Sequence, residues 1–215
     1  MHMARKMVAM LVFAAAAGAQ QPAAAPEELQ ERLTAVKTSM RRSEAALKRY
    51  SWTESVEVSV KGKVKNVQQK ECRYGAGGKL VETPIAATGG TKLDNELRDY
   101  LDRAGSVIRR YVPPEPQAMQ AALAAGKASV NSESGTLTFT DYAKPGDHVE
   151  LAYDKATNRI RTWEVTTYLN DPNDRVDLNA QFATLPDGTS YLDQYVLEAR
   201  AKQIRIKTAN FGHTK

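Results

Sequence analysis

The hydrophobic period of this chain changes near Ser51 and again near Gly89, and those two changes constrain its fold more than any other feature. Pro26-Glu27-Glu28 reads as a helix start, with acidic side chains favoured at the positive end of the helix dipole. Leu29, Leu33, Val36, Met40, Leu47 and Tyr50 follow at steps of three and four, with one beat missing at Ser43, which predicts a long amphipathic helix. From Ser51 the period is two: Trp52, Val56, Val58 and Val60 alternate with Thr53, Ser55, Glu57 and Ser59, as in a strand with one face on a core. Lys61-Gly62 reads as a tight hairpin. The chain returns through Val64, Val67, Cys72 and Tyr74 to a turn at Gly75-Ala76-Gly77-Gly78, and residues 79–85 give a third strand that Pro84 ends or places at an edge.

Gly89-Gly90 breaks this meander, and Thr91 with Asp94 forms a capping box for a second helix buried through Leu93, Leu97, Tyr100, Leu101, Ala104, Ile108 and Tyr111. Pro113, Pro114 and Pro116 end it and open an Ala-rich third helix over residues 117–125, capped by Gly126. From Ser129 the pattern predicts about six strands. Their turns are Pro145-Gly146-Asp147, Thr157-Asn158, Asp171-Pro172-Asn173-Asp174 and Pro186-Asp187-Gly188. No strand-helix-strand alternation occurs, so the expected class is α+β with an antiparallel sheet. Strands with one apolar face need a cover, and a curved sheet, a half-barrel whose concave face is covered by about three helices, supplies it. Residues 27–215 suit a single domain.

Ahead of that domain, residues 1–19 read as a cleavable signal peptide: Arg5 and Lys6, an uncharged apolar run over residues 7–17, and an Ala-x-Ala site at Ala17-Gly18-Ala19. The run is too short to span a bilayer, which takes about 20 residues. Residues 20–26 read as a flexible spacer. The only cysteine, Cys72, is far from the cleavage point, so there is no lipoprotein attachment there and no internal disulfide. The expected location is the periplasm or the exterior. Without Arg5 and Lys6 the formal charge falls from +5 to +3, a mild excess with none of the clustering of a nucleic-acid binder.

The layout resembles the periplasmic outer-membrane lipoprotein carrier and sorting proteins, the LolA/LolB-like half-barrels. The resemblance rests on the leader, the first helix, the hairpin block VKGKVKNVQQKECRYGAGGKLVETPI, the two interposed helices and the closing block LNAQFATLPDGTSYLDQYVLEARAKQIRIKTANF. It implies a concave apolar face and covering helices that enclose a cavity for a lipid or another apolar ligand. It also implies a basic residue tying the sheet to a covering helix, for which Arg73 is the candidate by strand position.

The residues themselves show no catalytic constellation. His148 and His213 stand in no nucleophile or metal motif and read as surface residues. Gly75 to Gly78 lacks the following helix of a phosphate loop. Asp171, Asp174 and Asp177 fit no calcium loop and read as turn residues, while Glu54 and Glu57 fall on opposite strand faces. Cys72, in register with Tyr74, reads as an inert core thiol. The expectation is therefore a non-enzyme with no cofactor and no metal, binding a lipid, acyl chain or lipidated segment. The candidate lining is Trp52, Val56, Val58, Phe139, Leu151, Tyr153, Trp163, Val165 and Phe182 from strands, with Leu97, Leu101, Ile108 and Met119 from helices. The same residues could build a filled core. Lys61, Lys63, Lys65 and Arg73 are candidates for contact with a headgroup or an envelope protein partner, and the alternative function is an envelope interaction module using that hairpin or an exposed strand edge.

Overall fold

The computed structural model describes residues 26–89 and 95–215. The expected leader, most of the spacer and the capping box at Thr91 and Asp94 lie outside the described residues. Helix α1 (Pro26–Leu47) leads into strands β1 (Ser51–Val60), β2 (Lys63–Tyr74) and β3 (Leu80–Gly89). Helices α2 (Asn95–Tyr111) and α3 (Pro116–Ala124) follow. Seven more strands close the chain: β4 (Ala128–Asn131), β5 (Thr136–Thr140), β6 (His148–Tyr153), β7 (Ile160–Tyr168), β8 (Arg175–Thr184), β9 (Ser190–Ala199) and β10 (Ile204–Thr214). A short 3-10 turn, Arg200–Lys202, separates the last two.

All ten strands form one sheet in the order β3-β2-β1-β10-β9-β8-β7-β6-β5-β4, antiparallel at every pairing and open between β3 and β4. Two meanders meet in the middle, where β1 pairs with β10. The α2–α3 segment carries the chain from one edge of the sheet to the other. This is the α+β half-barrel expected from the pattern, with three helices against its concave face.

Local chemistry explains the joints. Lys61 and Gly62 both have positive φ, +50° and +71°, as a two-residue hairpin turn of this twist requires, and the Lys61 N–H donates to the Gln203 carbonyl at 2.8 Å. The β8–β9 turn is held by Asp187, which accepts the Tyr50 hydroxyl at 2.6 Å and the Thr189 N–H at 3.0 Å.

The structure corrects two expectations and decides a third. Ser43 is not a missed beat: it lies on the buried face of α1, and its hydroxyl accepts the Ser190 N–H at 3.1 Å, so a hydroxyl there satisfies the first residue of β9. Of the two alternatives for Pro84, a strand end or an edge position, the structure has the second. Pro84 lies in edge strand β3 opposite Lys70, next to a bulge at Gln69/Lys70, and edge strands and bulges are where a missing N–H costs least. The closing run has seven strands, because Asn131 turns the chain at residues 131–135 by accepting the N–H groups of Glu133 and Ser134 through its side chain, an Asx turn without proline.

The core is densest over β5–β8. Trp163, Phe139, Tyr142 and Tyr111 pack ring to ring, with Trp163–Tyr142 centroids 5.4 Å apart and Phe139–Tyr142 5.8 Å apart. Beside them Asp147, 2% exposed, accepts the Tyr111 hydroxyl at 2.6 Å and the N–H groups of Tyr142, Ala143 and Lys144 at 2.5, 2.9 and 3.1 Å. Burial, together with the hydrogen bond to Asp147, raises the Tyr111 pKa, so the hydroxyl stays a donor.

Candidate functional site

The two halves of the concave face are filled differently. Over β4–β8 the helices meet the sheet, and Met119, Phe139, Leu151, Tyr153, Trp163 and Val165 are all at most 2% exposed. Over β1–β3, β9 and β10 a cavity of about 1010 Å³ remains between the sheet, the second half of α1, α2 and the Pro-rich α2–α3 connection. That volume is at the upper end for small-molecule sites, which run to about 1,000 Å³.

Six of the thirteen candidate lining residues meet at this cavity: Trp52, Val56 and Val58 from β1, Phe182 from β8, and Leu101 and Ile108 from α2. Met119, Phe139, Leu151, Tyr153 and Trp163 are packed into the filled half instead. Val165 is buried there too, and Leu97 is half-buried against the core, away from the cavity. Met40 and Leu47 from the apolar stripe of α1, which the candidate lining left out, complete the apolar wall with Ile160, Leu192, Tyr195 and Ile206, which the pattern did not single out. Leu80 and Glu82 of the exposed strand β3 also line it, so the cavity reaches solvent along that edge.

The polar part of the wall is built by cross-strand register. Trp52, Cys72 and Glu82 face one another across β1, β2 and β3, and Glu54, Lys70 and Pro84 form the next row. Lys70 Nζ lies 2.9 Å from Glu54 Oε1 and 3.0 Å from Glu82 Oε2. Burial opposes the ammonium charge, but the hydrogen bonds and charges of the two glutamates outweigh it, and the Lys70 pKa is raised. The basic side chain on the concave face is therefore Lys70, not Arg73. Arg73 stands between Cys72 and Tyr74, so alternation points it outward, and it is exposed. Period two from Cys72 and Tyr74 back to Lys70 was the signal that could have found it. Lys61 and Lys63 are exposed at the hairpin and Lys65 is half-buried, none of them at the cavity.

Cys72 is fully buried beneath this row. Burial first, then the charges of Glu54 and Glu82, push its thiol up to about 11, so it stays protonated near neutral pH. Cys72 is expected to resist alkylation in the native protein and to react fully in denaturant. Rapid modification of folded protein, read by mass spectrometry, would contradict that burial. Glu54, Cys72 and Glu82 bring potential metal-ligand atoms within 4.8 Å of one another, yet the Lys70 ammonium already bridges the two carboxylates.

His213 is not a surface residue. It lines the cavity, stacked on Trp52 at 5.8 Å and 13°, with Tyr191 at 4.1 Å, while Tyr74 packs on the other side of Trp52 at 5.9 Å. Burial lowers its pKa against a weaker opposing effect of Asp193. The unfolded chain then binds the proton more readily, so stability is fully present above about pH 6.5 and is lost as pH falls below it. Denaturant unfolding at pH 7.5 and 5.5 is expected to show a larger loss for wild type than for His213→Phe; equal losses would remove His213 from this role. His148, in contrast, is exposed on the convex face.

The carboxylates at the β7–β8 turn serve structure. Asp171 accepts the Asn173 N–H at 2.7 Å, Asp174 accepts the Tyr100 hydroxyl at 2.7 Å, and Asp177 pairs with Arg175 and Arg200. No helix among the described residues is long and apolar enough to cross a membrane.

No protein-family profile and no curated protein matches the sequence. Among solved structures, the chain is similar to a DUF1329 family protein from Desulfovibrio piger, with 12% identity, a TM-score of 0.41, and coverage of 86% of this chain and 92% of that one. It is also similar to a LolA superfamily protein from Nitrosomonas europaea, with 8% identity, a TM-score of 0.40, and coverage of 83% and 92%.

Proposed function

We propose that this chain is an exported, non-catalytic half-barrel that binds an apolar ligand, a lipid, acyl chain or lipidated segment, in the cavity over β1–β3, β9 and β10. The observation that carries the reading is the unequal filling of one concave face. Half of it is packed solid, while the other half keeps about 1010 Å³ open among Val56, Val58, Leu101, Ile108, Phe182 and Ile206. Apolar wall left in contact with water is unfavourable by about 25 cal/mol per Å², and a bound chain removes that cost. Residues 27–215 form the working domain, and the leader directs it out of the cytoplasm. The test is mass spectrometry of the organic extract from natively purified protein. A stoichiometric lipid-class molecule is expected. A clean extract, together with no uptake of added fatty alcohol, would overturn the reading.

A second reading is favoured by one observation. Among the described residues, edge strand β3 has no neighbour on its outer side, and it exposes Val81 and Ile85, the latter at 57%. Such an edge can accept a strand from another envelope protein. Under this reading Ile85→Lys, or charge reversal at Lys61, Lys63 and Lys65, abolishes binding of that partner and leaves lipid content unchanged.

A further inference from the structure

We infer that the occupant of the cavity is a cationic amphiphile, with its apolar body among the aliphatic side chains and its ammonium head against Glu54 and Glu82 beside Trp52. This rests on the apolar-ligand reading above and adds to it the sign of the head group. Two carboxylates share a single ammonium here: Lys70 Nζ meets Glu54 Oε1 at 2.9 Å and Glu82 Oε2 at 3.0 Å, so the row keeps one negative charge. The helices opposite do not cancel it, since α1 brings Glu44 with Arg41 and α2 brings Asp102 with Arg109 to the same cavity. His213 adds no positive charge near neutral pH. The negative wall runs against the +5 of the whole chain, so it follows from placement and not from composition.

The surroundings suit a cation in a second way. Trp52 lies in the row next to Glu54, with Tyr74 5.9 Å away, and indole and phenol faces attract ammonium groups. Glu82 has a side chain 44% exposed and sits on edge strand β3, where the cavity opens, so an entering head meets it first. At Glu54 and Glu82 an anionic head would meet the uncompensated carboxylate and would have to strip Lys70 from both glutamates to gain a partner there, while Arg41 and Arg109 on the helices opposite are accompanied by Glu44 and Asp102. A primary ammonium can donate to either glutamate while Lys70 keeps the other.

The experiment is displacement of an apolar fluorescent probe from the full chain by dodecylammonium, dodecanoate and dodecanol, all below their micelle concentrations. A charge-assisted hydrogen bond corresponds to roughly tenfold to hundredfold in affinity, so dodecylammonium is expected to displace at least about tenfold below dodecanoate. Glu82→Gln, an exposed edge position that folding tolerates, is expected to shrink that ratio, and Lys70→Met to widen it. If dodecanol displaces the probe and dodecanoate matches or beats dodecylammonium, the head-group inference fails while the apolar site stands. If the preference survives both Glu82→Gln and Glu54→Gln, the head sits elsewhere and the inference fails. If none of the three displaces the probe, both readings fail.

Discussion

Trp163→Ala is expected to destabilise the protein by about 3–5 kcal/mol, whereas Leu101→Trp is expected to change stability by less than about 1 kcal/mol. Trp163 is fully buried between Phe139 and Tyr142, so its removal leaves a void that the half packed by α3 against β4 and β5 cannot close. Leu101 projects from α2 into open volume, and a larger ring there displaces space and not side chains. Chemical denaturation of the two variants measures the contrast directly. A large loss for Leu101→Trp would mean that the region over β1–β3 is packed like the rest.

Asp147→Ala is expected to cost about 3 kcal/mol, a fall in Tm of roughly 6–12 °C for a chain of this size. One buried carboxylate answers four donors there, the hydroxyl of Tyr111 and three successive backbone N–H groups of the β5–β6 connection. Removing it leaves the three N–H groups without that acceptor and the Tyr111 hydroxyl with only the Thr167 hydroxyl at 3.2 Å, in a site that remains largely shielded, and an unmade buried hydrogen bond costs more than a made one contributes. Asp147→Asn is expected to fall between wild type and alanine, because an amide offers one acceptor oxygen and turns donors toward the others. Thermal unfolding of the three proteins checks the order. An alanine variant as stable as wild type would show that water replaces the carboxylate freely.

These two sites mark what the sequence makes legible. Alternation in β1 and β5–β8 placed Trp52, Val56, Phe139, Leu151 and Trp163 on the inner face, and Gly and Asp turns placed the hairpins, because side-chain direction in a strand and positive φ in a turn are local properties. Pro84 left two alternatives open, a strand end or an edge, because the choice depends on pairing that the strand itself does not carry. The turn at Asn131 was missed because a side-chain hydrogen bond does there what a Pro-Gly signal does elsewhere.

The split of the apolar list into core and cavity was not legible at all. Period two says that Val56 and Leu151 both face inward. Whether a helix reaches them depends on the cover. The short Ala-rich α3 lies close over β4 and β5, while α2 and the Pro113-Pro114 connection stand over β1 and β2 with room between. Lys70 went unnamed for a related reason: only its register with Glu54 shows the ion pair that holds it in the cavity wall.

Saturation binding of an apolar fluorescent probe such as N-phenylnaphthylamine, to wild type and to Val56→Trp/Leu101→Trp, tests the central claim most directly. The claim predicts saturable binding near one probe per chain in wild type, and loss of most of it in the double variant at an unchanged Tm. Absence of saturable binding to wild type, or equal binding to a folded double variant, would contradict it.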